Sequence, residues 1–127
     1  MINWALILGA SSGFGAATAK KLASLGVNIY GVHLDRKSTM DQVDQLVNDL
    51  RANNIEVVFK NVSATDESKR KEIVEHLVSL KANVKILMHS LAFGALRPVI
   101  DSDGSLSQKQ IEMTMDVMAN SIVYWAQ

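Results

Sequence analysis

The chain contains no cysteine, a single proline and no excess of charge of either sign. The missing cysteine removes disulfides, thiolate metal sites and a cysteine nucleophile, and it fits a reducing compartment. The balance of 13 basic against 13 acidic residues leaves no global field to draw in nucleic acid or an anionic membrane surface. No apolar run approaches the roughly 20 residues needed to cross a bilayer. No basic stretch precedes the apolar N-terminal run, as a signal peptide would require. These absences predict a cytoplasmic protein that partners neither nucleic acid nor membrane.

What is present suits one globular domain spanning 1–127, since a hydrophobic share of 48% with 20% charged residues excludes disorder. Short apolar runs alternate with longer amphipathic stretches. Trp4–Leu8, Val27–Leu34, Ile55–Phe59 and Val84–Met88 read as strands. Gly13–Leu25 reads as a helix closed by Gly26. Thr39, with Gln42 in the capping-box position, predicts the start of a second helix that Asn53-Asn54 ends. Thr65 predicts the cap of a third, carrying an apolar stripe of Ile73, Val74, Leu77 and Val78 and ended by Asn83. A loop of about 17 residues holding Pro98 follows the fourth strand. Ser107, with Gln110, then opens a last helix running to the chain's end. Strands alternating with helices demand a parallel sheet covered on both faces, and a doubly wound order of 3-2-1-4 is the natural arrangement.

Gly9-Ala10-Ser11-Ser12-Gly13-Phe14-Gly15 joins the first strand to the first helix. In that context Gly9 permits the tight turn, Gly13 lets backbone approach a pyrophosphate, and Gly15 lets the helix pack close to the sheet. The helix N-terminus offers free N–H groups and a positive dipole end to phosphate. The loop is therefore read as the phosphate cradle of a Rossmann-type α/β domain that binds a nicotinamide dinucleotide, with Ser11 and Ser12 as further phosphate contacts. A Walker A loop would need Gly-Lys-Ser/Thr where Gly15-Ala16-Ala17 stands. Gly9 to Gly13 also matches the Gly-x-Ser-x-Gly nucleophile elbow, which would make Ser11 a hydrolase nucleophile with His89 downstream. That elbow normally follows several strands rather than the first. A plain glycine turn without a ligand is the remaining alternative.

The spacing Gly-x-x-x-Gly-x-Gly resembles that of the short-chain dehydrogenase/reductase superfamily, and three later landmarks agree in order. Asn61-Val62 resembles the family's Asp/Asn-Val at the adenine. His89-Ser90-Leu91-Ala92-Phe93-Gly94 stands where the family has Asn-Asn-Ala-Gly. Asp116–Ser121 lies where the family's helix carries Asn-Val/Leu-x-Gly, with Met118 in the place of the asparagine that supports a proton-relay water. His-Ser-Leu-Ala-Phe, with Gly94–Val99, is closer to the NADPH-dependent enoyl-acyl-carrier-protein reductases. The resemblance implies cofactor contacts at Gly9, Ser11, Ser12, Gly13, Phe14, Gly15, His33, Arg36, Asn61, Val62, Ser90, Leu91 and Ala92. It also implies a sheet truncated relative to the full fold, because family members run to roughly double this length. Their catalytic serine and Tyr-x-x-x-Lys would lie past Gln127, leaving no catalytic residue here, and Tyr124 has no lysine four residues on. The whole protein would then act on a small-molecule or acyl substrate bearing a carbonyl or enoyl group. A free-standing, non-catalytic dinucleotide-binding module completed by a partner chain is the alternative.

NAD-specific members place a carboxylate about 20 residues past the loop, at the end of the second strand. His33 stands there, while Asp35 comes two residues late. This favours NADP, with Arg36 and Lys37 available to a 2′-phosphate; NAD remains the second choice, and a solvated charged turn the bland one. The three histidines have no metal-ligand spacing. His76 reads as a surface residue, and His89 as a ligand contact or a structural residue at a strand's carboxyl end. Asp101, Asp103 and Glu112 lack a calcium loop's glycine at the sixth position, where Leu106 stands. No metal is expected. Met113, Met115 and Met118 suit core or subunit contacts. Exposed Tyr124 and Trp125 on the last helix would suit a homo-oligomer.

Overall fold

The computed structural model describes residues 2–127. The chain runs β1 (Ile2–Leu8), α1 (Gly13–Ser24), β2 (Asn28–His33), α2 (Met40–Arg51), β3 (Val57–Asn61), α3 (Glu67–Ser79), β4 (Ala82–His89), α4 (Gln108–Met115) and α5 (Ser121–Ala126). The four strands form a parallel sheet in the order β3-β2-β1-β4. This is the doubly wound α/β arrangement that the alternation of strands and helices predicts. Two compact units emerge, 2–90 and 91–127.

Burial follows sheet position in the first unit. Every residue of β2 is buried, as are Trp4 to Leu8 of central β1, whereas edge strands β3 and β4 are only partly covered. Both faces of the central pair must therefore be apolar, which is why these strands read as near-continuous hydrophobic runs. One face packs Ala5, Ile7, Ile29 and Val57 with Ala19 and Ala23 of α1 and Leu46 and Leu50 of α2. Small residues on α1 bring that helix close to the sheet. On the opposite face Trp4 and Tyr30 lie with ring centroids 6.2 Å apart. The Tyr30 hydroxyl reaches Nδ1 of His76 on α3 at 2.9 Å. His76 is therefore a half-buried partner of the sheet rather than a surface residue. Burial pushes the Tyr30 phenol up to about 12.

Several helix ends differ from the sequence expectation. Thr39 does not cap α2, because its backbone is already helical, with φ −106° and ψ −2° at the end of a short 3-10 turn over Lys37–Thr39, and its hydroxyl donates instead toward Asp35 Oδ1 and the Arg36 carbonyl. Asp66, not Thr65, caps α3. Its carboxylate accepts from the Lys69 amide at 3.1 Å, while Thr65 pairs with Ser63. A charged acceptor at a helix N-terminus is the stronger choice. The third helix stops at Ser79, and Lys81 turns the chain with φ 50°. Asn83 accordingly belongs to β4, where its amide donates to Asn3 at 3.0 Å. In α3, Val74 is 45% and Val78 is 72% exposed, so the buried stripe narrows to Ile73 and Leu77. The expected ends hold at Asn54, with φ 58°, and at Gly26. There the Gly26 amide bonds Ala23 and the Val27 amide bonds Leu22 in a Schellman pair.

The second unit begins with an irregular stretch and continues into α4. Ser107 and Gln110 cap α4 reciprocally, as their spacing predicts. The Thr114 hydroxyl receives the Ala95 amide at 3.0 Å and ties the preceding stretch to the helix. The helix does not continue regularly. A π-turn spans Asp116–Asn120, with the Tyr124 hydroxyl donating to Asp116 at 2.6 Å, before α5 resumes. Trp125 is buried, contrary to the expected exposure, because it shares the inward side of α5 with Ser121.

Candidate functional site

The carboxyl ends of the four strands are tied together by backbone hydrogen bonds. Gly9 and Ala10 both donate to the Val32 carbonyl, at 2.8 and 3.1 Å. The Val62 amide donates to His33 and the Ser90 amide to Leu8, each at 2.8 Å. Leu8 pairs with His89 on one side and Val32 on the other, and His33 pairs with Asn61, so the four strands end side by side. In open α/β sheets this rim is where ligands bind.

The glycine loop crosses the rim. Gly15 is required by close approach, since a Cβ there would run into the Gly9 carbonyl. Gly13 is required by conformation: its φ is 55°, and nothing lies within 4 Å of where a Cβ would stand. Ser12 occupies the N-cap of α1 without making a side-chain cap, and the first turn carries no acid. The leading N–H groups of this 12-residue helix therefore have no side-chain cap, and its dipole has no acid in the first turn. Phe14 flanks this opening at 83% exposure. A cradle formed by backbone amides over a left-handed glycine suits an anionic pyrophosphate.

Sequence reasoning passed over one residue at this rim. Asp35 stands two positions past the expected carboxylate, yet four side chains converge on it, those of Ser11, His33, Thr39 and Asn61. His33 Nδ1 lies 2.9 Å from Asp35 Oδ2, and the Thr39 hydroxyl donates to Oδ1 at 3.0 Å. The Ser11 hydroxyl lies close enough to help hold the carboxyl below its usual pKa. The Asn61 carboxamide clamps the backbone of the same residue, accepting from its amide at 2.8 Å and donating to its carbonyl at 3.0 Å. Partial burial pulls the Asp35 carboxyl upward, but the bonds from Ser11, His33 and Thr39 and the adjacent imidazole outweigh it, so its pKa lies below the usual value. An ionised carboxylate only accepts, which places a proton on His33 Nδ1. Distance along the sequence hides this cluster, because Asn61 is 26 residues from Asp35.

His33 is buried, with its ring 5.7 Å from Phe59, and addresses Asp35 rather than the open rim. Arg36 and Lys37 are exposed, and neither pairs with a carboxylate among the described residues. Val62 and Ser90 lie at the ends of their strands, while Leu91 and Ala92 follow in the second unit. A serine hydrolase would need an imidazole between serine and acid. Here His33 is hydrogen-bonded to Asp35, and no imidazole is hydrogen-bonded to Ser11 among the described residues, so the nucleophile reading of Ser11 lacks its relay. No cluster of three or more metal-ligating residues occurs among the described residues.

The sequence profile of the short chain dehydrogenases matches residues 3–127. The chain belongs to the short-chain dehydrogenase family. Solved structures share the fold. A short-chain dehydrogenase/reductase from Serratia marcescens superposes with a TM-score of 0.82 at 21% identity, over 98% of this chain and 48% of its own. NAD+-bound xylitol dehydrogenase gives 0.79 at 18% identity, over 98% and 45%. YwfH, an NADPH dependent reductase involved in bacilysin biosynthesis, gives 0.79 at 19%, over 98% and 47%. The chain thus spans about half the length of the structures it matches. No helix among the described residues is long and apolar enough to cross a membrane.

Proposed function

We propose that the chain is the dinucleotide-binding portion, over residues 1–127, of an oxidoreductase that transfers hydride between NADP(H) and a carbonyl or enoyl substrate. The observation that carries this reading is the uncapped, acid-free N-terminus of α1 above left-handed Gly13, set at the carboxyl rim of a parallel sheet. The amides from Gly13 to Gly15 and the Ser12 hydroxyl hold the pyrophosphate. Asn61 and Val62 border the adenine, and Ser90 borders the nicotinamide half. Arg36 and Lys37, exposed and without a carboxylate partner among the described residues, receive the 2′-phosphate, which supports NADP over NAD. Bound there, the nicotinamide supplies the hydride.

An enoyl thioester is the narrower substrate proposal, supported by the His89–Phe93 string. A cytoplasmic homo-oligomer belongs to the same reading, supported by exposed Ile111, Met115, Met118 and Val123 on the last helical stretch. Calorimetric titration of the chain with NADPH and NADH tests the central proposal. Binding of NADPH in preference to NADH, abolished by Gly13→Val, is expected. Absence of binding by either dinucleotide at millimolar concentration would leave only the shared fold.

A further inference from the structure

Asp35, Arg36 and Lys37 leave β2 as one consecutive stretch, so the carboxylate is the nearest counter-charge to both cations along the chain. It pairs with neither. His33 Nδ1 takes one carboxylate oxygen at 2.9 Å, and Thr39 takes the other at 3.0 Å. His33 can do this because it is a β2 residue, buried and braced against Phe59. Its ring cannot swing away without vacating a packed position. Thr39 holds from the 3-10 turn that follows, and Asn61 fixes the intervening backbone from β3. The acid is therefore restrained on several sides, while the two cations beside it remain open.

We propose that His33 is a positioning residue for cofactor selectivity: by holding the Asp35 carboxylate inward, it leaves Arg36 and Lys37 free for a phosphate monoester on the adenosine ribose. This rests on the reading of the rim as a dinucleotide site. Without the imidazole, the carboxylate can turn to Arg36 or Lys37, neutralising the cations and repelling the phosphate. The ribose without its phosphate would feel neither effect. His33 thus acts through Asp35 and touches no cofactor atom.

The test compares ADP-ribose with its 2′-phosphorylated counterpart, each titrated calorimetrically into the 127-residue chain. The wild type should prefer the phosphorylated probe. His33→Leu, which keeps an apolar body in the packed position, should reduce that preference roughly tenfold by weakening the phosphorylated probe alone. Adding Asp35→Asn to His33→Leu should restore it. His33→Asn, whose amide can stand in for the Nδ1 donor, should retain most of it. The single Asp35→Asn variant keeps the histidine packing intact, and should match or exceed the wild-type preference.

Equal weakening of both probes in His33→Leu would mean a merely structural role and overturn the proposal. An unchanged preference in that variant, or a lost preference in Asp35→Asn, would overturn it as well. Failure of both probes to bind the wild type would instead remove the dinucleotide reading on which it rests.

Discussion

The two units handle apolar surface in opposite ways. In residues 2–90 the central strands are covered on both faces, and the largest enclosed side chains, Trp4, Tyr30, Ile7, Leu8, Ile29 and Leu50, all belong to the sheet or to α2 packed on it. In residues 91–127 only Ser121 and Trp125 are buried. Phe93, Leu96, Val99 and Ile100 precede α4 with exposures from 62% to 100%. The difference separates two kinds of stability. The first unit derives its shape from its own core. The second holds local order through its capping box, the Thr114 tie and the π-turn, and leaves its apolar side chains uncovered. The proposed phosphate cradle and the Asp35 cluster both sit on the unit with the core, where preorganised amides are held most firmly.

Core truncation should break this contrast most sharply. Leu50→Ala removes a fully enclosed side chain and should cost about 3 kcal/mol of unfolding free energy. Met118→Ala, at a position 46% exposed, should stay within about 0.5 kcal/mol. Urea titration followed by tryptophan fluorescence and circular dichroism measures both. Similar losses at the two positions would erase the distinction.

A smaller effect is expected at alkaline pH. The neutral Tyr30 phenol is favoured in the folded state, with its pKa raised from 10.0 to about 12. Its contribution is fully present below pH 10 and is lost as pH rises through about 12. The loss is of order 2 kcal/mol. Tyr30→Phe should flatten that part of the stability profile, while wild-type and variant curves that fall in parallel would place the alkaline loss elsewhere.

The smallest effect concerns helix starts. Asp66→Ala should cost about 1 kcal/mol through loss of the α3 cap, and Ser107→Ala should cost a comparable amount locally in α4. Amide exchange resolves the two, with faster exchange confined to the first turn of the altered helix. A larger loss from Thr65→Ala than from Asp66→Ala would restore the cap expected from the sequence.

Local pattern made much of this molecule legible. Strand identity, the order β3-β2-β1-β4 and the glycine loop follow from alternation, burial and the strand–turn–helix context of Gly9 to Gly15. The Ser107–Gln110 box is also legible, because both partners lie within one turn. The errors share a cause. Thr39 looks like a cap until its hydroxyl is claimed by Asp35. His76 looks like a surface residue until Tyr30, 46 positions earlier, meets it across the sheet face. Asp35 looks misplaced until Asn61 folds the loop back beneath it. Each depends on a partner that sequence spacing does not reveal. The π-turn at Asp116–Asn120 is different: no proline or glycine marks it, and its side-chain tie runs from Tyr124, eight residues ahead.

The central claim, that the N-terminus of α1 is a dinucleotide cradle, is tested most directly by nuclear magnetic resonance titration of the isotope-labelled chain with NADPH. The account predicts that the largest amide shifts fall on Ser12, Gly13, Phe14 and Gly15, with smaller ones at Ser11, Arg36 and Val62. Shifts centred elsewhere on the chain, with the Ser12–Gly15 amides unmoved at saturation, would contradict it.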